Sequence, residues 1–214
     1  MNVLTITGPS GSGKDSILDA VLYRLGCKKA EELTPWVREH IEDIRWLLVP
    51  GAICEMGKAD FMKELVSHTT RPPRAGEENG KDYFFITKEE FDTIPKVESS
   101  NYAGNYYCLS EKVVRENDAR VGAVIVDIHG KDAVKKFVED NGGKCISLFI
   151  SVDPDVIEER MRKRGDSEEN IQKRLAHAKE TGEFDNGKWC DYIIYNDDFA
   201  YAVAEVLCRL KEFV

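Results

Sequence analysis

The chain has 214 residues, 42% of them hydrophobic, and 39 acidic against 30 basic side chains give it a formal charge of −9. That length is expected to give one domain, or one domain with a small mobile part, with a sizeable core, and no apolar run approaches the ~20 residues of a membrane span. The acidic balance argues against a general DNA or RNA binder, and with no secretory leader before the first strand the expected location is the cytoplasm.

Val3 to Ile6 reads as a strand, followed by Gly8-Pro9-Ser10-Gly11-Ser12-Gly13-Lys14-Asp15-Ser16. Gly8, Gly13 and Lys14 satisfy the pattern G-x-x-x-x-G-K-[ST]. Asp15 stands in the hydroxyl position, and Ser16 comes one residue later. Ile17, Leu18, Val21, Leu22 and Leu25 recur at helical spacing, so the loop has the strand and helix it needs on either side. Such a loop closes backbone N–H groups around oxyanions at a helix N-terminus, and Lys14 reaches the outer phosphates of a nucleotide.

From Cys27 to Lys63 the pattern suggests an inserted helical hairpin. Thr34-Pro35 predicts a capped helix start, with Val37, Ile41, Ile44 and Leu48 as the stripe and Pro50-Gly51 as the stop. A weaker helix is expected from Ile53 to Met62. Trp36 and Trp46 read as packing residues and His40 as a partly buried helix residue.

A strand from Glu64 leads into Ser67-His68-Thr69-Thr70-Arg71-Pro72-Pro73-Arg74. The prolines stiffen the backbone and turn both guanidiniums outward. Arginine grips phosphate oxygens in bidentate fashion, so Arg71 and Arg74 form a second candidate anion site, with Tyr83 as a further donor. Asn79-Gly80 signals a turn, 81–86 reads as the strand of a small hairpin, and Thr87-Lys88-Glu89-Glu90 is a capping-box helix start closed by Pro95. Glu98 to Ser110 is polar and aromatic and suits the edge of a planar ligand, glutamate accepting from ring N–H groups. Ala123 to Ile128 reads as a buried parallel strand, with Asp127 at the carboxyl end where ligand crevices form.

Lys144 to Ile150 is the next strand, and a helix from Pro154 places Arg160 and Arg164 on one face. Asp166-Ser167-Glu168-Glu169 begins another helix, which carries Lys173 and Arg174. Two adjacent helices bearing arginines are the material of a lid over phosphates. A loop over 181–188, a strand from Asp191 to Tyr195, the Asn196-Asp197-Asp198 cap and a closing helix complete the chain. Strands alternating with helices define an α/β architecture of three layers with a mostly parallel sheet. The six cysteines form no C-x-x-C pair and no zinc-type spacing, so most are expected to be small core residues.

One anion site at the opening loop fits either hydrolysis or transfer of a phosphoryl group. A second, built from arginines, favours transfer to an acceptor that itself carries a phosphate, aligned by the protein for direct attack.

At this level of detail the chain resembles the guanylate kinases. The resemblance is carried by Gly8 to Ser16, Ser67 to Arg71 with Arg74, Gly76 and Glu77, Asn79 to Phe85, Gly104 to Tyr107, Gly165 to Glu169, Lys173 to Leu175, and Asn196 to Asp198. It implies a P-loop NTPase fold with a mostly parallel central sheet, a small acceptor-binding lobe and a helical lid. It also implies transfer of the ATP γ-phosphate to GMP (or dGMP) with Mg²⁺. Under it, Gly8, Pro9, Ser10, Gly11, Ser12, Gly13, Lys14, Asp15 and Ser16 hold ATP, and Asn196 lies near the adenine. Arg71, Arg74, Glu77, Tyr83 and Tyr107 serve the acceptor phosphate, while Ser67, Glu98 and Asp127 face the guanine. Lys14, Arg160, Arg164 and Arg174 are the catalytic cations, and Asp15 is the candidate metal ligand, directly or through water. The corresponding segments are 1–26 (loop strand and helix), 27–63 (insertion), 64–110 (acceptor lobe), 111–156 (core), 157–188 (lid) and 189–214 (closing strand and helix).

The chain departs from that family at several points. Cys108 and Leu109 follow the paired tyrosines where members carry glycine and then a hydroxyl residue that helps bind the guanine oxygen. Ile125 stands where an additional acid is usual. Asp15 replaces serine or threonine, as in the G-P-S-G-S-G-K-D-S loop of related ribose 1,5-bisphosphate kinases, so a different phosphorylated acceptor is the alternative activity, and a scaffold on a kinase-like fold a further one. The stretch before Ser67 is longer than usual and the one between Phe91 and Glu98 shorter. No membrane or nucleic-acid partner is expected, and the oligomeric state, homo-oligomer included, is left open.

Overall fold

In a computed structural model, described for residues 1–55, 60–74, 76–102 and 104–214, the chain order is strand β1 (Asn2–Thr7), helices α1 (Lys14–Leu25), α2 (Pro35–Glu39), α3 (Ile41–Ile44) and α4 (Gly51–Glu55), then strands β2 (Met62–Glu64), β3 (His68–Thr69) and β4 (Phe84–Phe85). Helix α5 (Lys88–Thr93), strands β5 (Lys96–Tyr102) and β6 (Asn105–Ser110), helix α6 (Glu111–Arg115), strand β7 (Val121–Ile125) and helix α7 (Ile128–Asp140) follow. Strand β8 (Lys144–Ser151), helices α8 (Pro154–Lys163) and α9 (Glu168–Glu180), strand β9 (Tyr192–Tyr195) and helix α10 (Phe199–Arg209) close the chain. Among the described residues no helix is long and apolar enough to cross a membrane.

The chain divides into two compact units, the first made of residues 1–5 and 62–146, the second of 6–61 and 147–214. In the first, β2 pairs in parallel with β7 (Met62 opposite Val121), and β1 lies on the other side of β7. A second sheet of four strands, in the order β4-β3-β6-β5, belongs wholly to this unit. Its core gathers Val3, Leu65, Leu109, Val114, Val124, Val126, Val134, Val138 and Cys145. In the second unit β8 continues beside β1 and pairs in parallel with β9, Leu148 opposite Tyr192 through Ser151 opposite Tyr195. There Val152, Ile157, Met161 and Ile171 pack the α8–α9 pair together.

Local chemistry accounts for most boundaries. Thr87 Oγ1 accepts the N–H of Glu90 and Glu90 Oε2 accepts that of Thr87, so both halves of the capping box form at α5. Ser167, Asp198 and Asp127 cap α9, α10 and α7 with their side chains.

Several expectations change. The single helix over 34–48 is two short ones, broken at His40 (φ −102°, ψ 18°), and Thr34 makes no side-chain cap; its N–H is taken instead by buried Asp19. Val37, Ile44 and Leu47 are buried while Leu48 is 89% exposed, because the break shifts the stripe. Trp36 packs on His40 and against Phe199, but Trp46 is 68% exposed. Pro50 and Gly51 open α4 rather than ending a helix, and Met62 begins a strand; residues 56–59 of the expected 53–62 helix lie outside those described.

The 81–86 segment is not half of a hairpin. Only Phe84 and Phe85 form a strand, and it runs parallel to β3, His68 opposite Phe84. The aromatic stretch from Glu98 is instead an antiparallel pair of strands. β7 stops at Ile125, so Asp127 heads a helix rather than ending a strand. Residues 183–189 wind into 3₁₀ turns. Only Cys108 and Cys145 of the six free cysteines are buried.

Candidate active site

In the second unit the loop after β1 turns through Gly8, Gly11 and Gly13, all with positive φ. Gly8, at φ 142°, passes so close to β8 that an added Cβ would sit 2.5 Å from the Ile150 carbonyl oxygen. Gly13, at φ 89°, is the residue before α1, whose first amides have no partner within the helix. Lys14 Nζ donates to the carbonyls of Gly8 (2.7 Å) and Pro9 (2.8 Å), and burial lowers its pKa from the ordinary lysine value while Asp15 and Glu183 oppose that shift.

Of the three arginines expected over the phosphates, Arg160, Arg164 and Arg174, two are brought to this loop. Arg174 donates to Ser10 Oγ at 3.1 Å, and Arg160 to the Asn196 carbonyl at 2.8 Å and more weakly to that of Ser12 at 3.5 Å. Burial lowers the Arg160 pKa. Arg164 turns away onto Asp166, whose carboxylate also lies 3.8 Å from Arg174. The arginines four apart share a helical face, but Gly165 and Asp166 end that helix and offer Arg164 a nearer anion. Asn196, read from the family likeness as an adenine neighbour, is 2% exposed and donates through Nδ2 to the Ser12 carbonyl at 2.8 Å. Asp15 is exposed in the first turn of α1, and Ser16 is half-buried beside it. A cleft of about 360 Å³ opens next to the loop, lined by Pro9, Ser151, Asp153, Phe184, Tyr195 and Asp197 among others.

The first unit holds the other group of residues. Arg71 forms a two-pronged pair with Glu77, NH1 to Oε2 at 3.0 Å and NH2 to Oε1 at 2.8 Å. That bond raises the Arg71 pKa and lowers that of Glu77. The guanidinium lies over the rings of Tyr83 (5.5 Å) and Phe85 (5.7 Å), and Tyr107 stands edge-on to Tyr83 at 5.9 Å. Arg74 is exposed, its N–H donating to Glu77 Oε2 at 2.7 Å. Glu77 thus holds both the Arg71 guanidinium and the Arg74 amide. Ser67 is half-buried, and its carbonyl accepts the Phe84 N–H at 2.9 Å.

Glu98 is buried on β5, and its Oε1 accepts the Leu109 N–H at 2.9 Å. Burial, with Asp127 as the second cause, pushes its pKa up to about 7. Asp127 Oδ1 accepts the Gly130 N–H at 2.7 Å. A Cβ on Gly130 would fall 2.9 Å from Glu98 Oε2 and 3.4 Å from Asp127 Oδ1, so the bare glycine makes room for both carboxyls. Leu109 does not face this pocket. Its side chain is wholly buried with Val3, Leu65 and Val124, and only its amide serves the site. Phe85 and the Leu109 amide were not foreseen as site groups. Phe85 could have been, since the strand expected over 81–86 would put it on the same face as Tyr83.

A glycine loop with Lys14, Arg160 and Arg174 in one unit, and a paired arginine with two carboxyls in the other, define the class of nucleotide-dependent phosphotransferases with a P-loop. The guanylate kinase family model matches residues 52–213. The chain is 33% identical to a guanylate kinase of Synechocystis sp. over 98% of its own length and 93% of the relative's. It is 33% identical to one of Sus scrofa over 95% and 90% of the two chains, and 38% identical to one of Neisseria meningitidis over 68% and 75%. In fold it is similar to the crystal structure of guanylate kinase from Anaplasma phagocytophilum, with a TM-score of 0.60 at 20% identity, over 99% of this chain and 84% of that one. The chain belongs to the guanylate kinase family.

Proposed function

We propose that this protein transfers the γ-phosphoryl group of ATP to GMP, yielding ADP and GDP. The observation that carries the acceptor is Glu98: a buried carboxyl held by the Leu109 amide, with Asp127 beside it, in the unit that also builds the Arg71–Glu77 seat. An acceptor with ring N–H donors at one end and a phosphate at the other answers both features. Guanine presents a ring N–H and an amino group on one edge, which two carboxyl groups can take as acceptors.

Each residue then has a chemical part. Amides at the start of α1 and Lys14 take the donor's phosphate oxygens, the ammonium giving up the Gly8 and Pro9 carbonyls to do so. Arg160 and Arg174, already at the loop, stabilise charge on the transferring group. Arg71, Arg74, Tyr83 and Tyr107 hold the acceptor phosphate so that its oxygen attacks in line with the departing one. Asp15, an exposed oxygen donor in the first turn of α1, fits Mg²⁺ directly or through water, since that ion needs only one or two protein carboxylates beside substrate phosphates. Bound there, the ion would supply charge neutralisation on the donor's oxygens.

The test is an assay with ATP and Mg²⁺ against GMP, dGMP, AMP, UMP and ribose 1,5-bisphosphate. Turnover is expected with GMP and dGMP. Turnover confined to the sugar phosphate would reject the guanine assignment and keep the two-seat mechanism.

A further inference from the structure

We propose that Asn196 is a positioning residue for the phosphate loop, acting on the donor's phosphates through the Ser12–Gly13 peptide rather than on its base. Four contacts meet here. Asn196 Nδ2 donates to the Ser12 carbonyl at 2.8 Å, and Arg160 reaches the same oxygen at 3.5 Å. Arg160 also donates to the Asn196 carbonyl at 2.8 Å, and the Asn196 N–H donates to the Ser151 carbonyl at 2.9 Å, fixing the residue to the end of β8.

The consequence follows from peptide geometry. In a trans peptide the C=O and the next N–H point in opposite directions. Holding the Ser12 oxygen on Asn196 therefore turns the Gly13 N–H to the far side of that plane, away from Asn196. Gly13 stands at the start of α1, where amide hydrogens are left over for an anion. The fit is close: a Cβ on Gly13 would sit 2.6 Å from Asn196 Nδ2, so glycine at 13 and the amide at 196 are matched. Asn196 is 2% exposed, and its Oδ1 is buried with no hydrogen-bond partner, so the side chain is held by its donor end alone. Asparagine suits the position because a short amide offers a neutral N–H to a carbonyl; aspartate would set an acceptor against an acceptor.

The inference rests on the loop being the donor phosphate seat, and the experiment separates the two. Binding of ATP and of tripolyphosphate, an anion with no base, is measured by calorimetry on the full chain, without metal, for wild type, Asn196→Ala and Asn196→Asp, alongside thermal unfolding. Both ligands are expected to weaken together, about 10-fold or more in each variant, the cost of leaving the Ser12 carbonyl to the weaker Arg160 contact alone. Asn196→Asp keeps the shape and Oδ1, and Asn196→Ala adds no charge, so loss in both isolates the missing donor. In amide NMR spectra the Gly13 proton should move downfield on tripolyphosphate binding in wild type, and much less in Asn196→Ala, while α10 amides such as Val203 match between the two. A fall in ATP binding with tripolyphosphate unaffected would place Asn196 on the base and overturn the proposal. Unchanged binding of both would overturn it as well. A wild-type chain that binds neither ligand would remove the donor-site reading and this inference with it.

Discussion

The Leu109 amide donates to Glu98 Oε1 at 2.9 Å while the Leu109 side chain, fully buried, belongs to the hydrophobic core. One residue thus holds the Glu98 carboxyl by its backbone and the hydrophobic core by its side chain. Leu109→Ser restores the hydroxyl usual in the family, but at a position packed by Val3, Leu65 and Val124. The expected outcome is a loss of about 2–4 kcal/mol of stability in denaturant unfolding, from lost apolar burial plus a buried hydroxyl. The KM for GMP should not improve. A lower KM with stability unchanged would mean that this side chain faces the acceptor after all.

Glu98 makes the first unit sensitive to pH. Its pKa in the folded chain is raised to about 7 from the ordinary 4.5, so the folded state binds this proton more tightly than the unfolded one. The stabilisation is complete below about pH 4.5 and disappears as pH rises through about 7. The full effect is on the order of 3 kcal/mol. Glu98→Gln keeps an acceptor for the Leu109 amide and removes the titration, so its stability should fall less between pH 5 and 8. GMP, expected to donate to the ionised form, should gain more affinity for the wild type than for Glu98→Gln as pH rises over the same range, the dependence left in Glu98→Gln being that of GMP's own phosphate, which titrates at about pH 6. Parallel pH profiles for the two proteins would exclude this carboxyl as the titrating group.

How much of this was legible in the sequence varies from element to element. The loop, α1 and the α5 capping box were, because glycine spacing, apolar periodicity and a Thr–Glu pair act over a few residues. Pairing direction was not: Asn79-Gly80 signals a turn, but nothing local says that Phe84 will lie parallel to His68. The 34–48 helix failed for a similar reason. Its apolar spacing carries no mark of the break at His40, after which Ile44 and Leu47 are buried with Val37 and Leu48 is left outside. At the site, residue types announced the charged groups, whereas which anion each arginine prefers depended on distance. Arg164 found Asp166, and Arg160 found the loop.

Gly8 marks where the loop tolerates no side chain. Its φ of 142° is unfavourable for other residues, and the 2.5 Å approach of a Cβ to the Ile150 carbonyl involves backbone on both sides. Gly8→Ala should cost about 1–3 kcal/mol in stability and weaken ATP about 10-fold or more, since the loop must shift to relieve the clash. GMP binding, seated in the other unit, should stay near wild type. Calorimetry with each ligand separately checks this, and equal loss of both would show that the damage is not confined to the loop.

In the proposed acceptor seat Arg71 is the central cation. Its guanidinium is paired on two prongs with Glu77 and lies over Tyr83 and Phe85, an arrangement that orients the group before any ligand arrives. Arg71→Ala removes the cation and releases Glu77, whose pKa should return upward because its largest depressing cause is gone. The KM for GMP should rise on the order of 100-fold, with the KM for ATP within about 2-fold of wild type. Arg71→Lys separates charge from geometry. It keeps the positive charge but cannot form the fork, so an intermediate rise of about 10-fold is expected. If Arg71→Lys matched wild type, charge alone would explain the seat; if ATP weakened as much as GMP, Arg71 would not be specific to the acceptor.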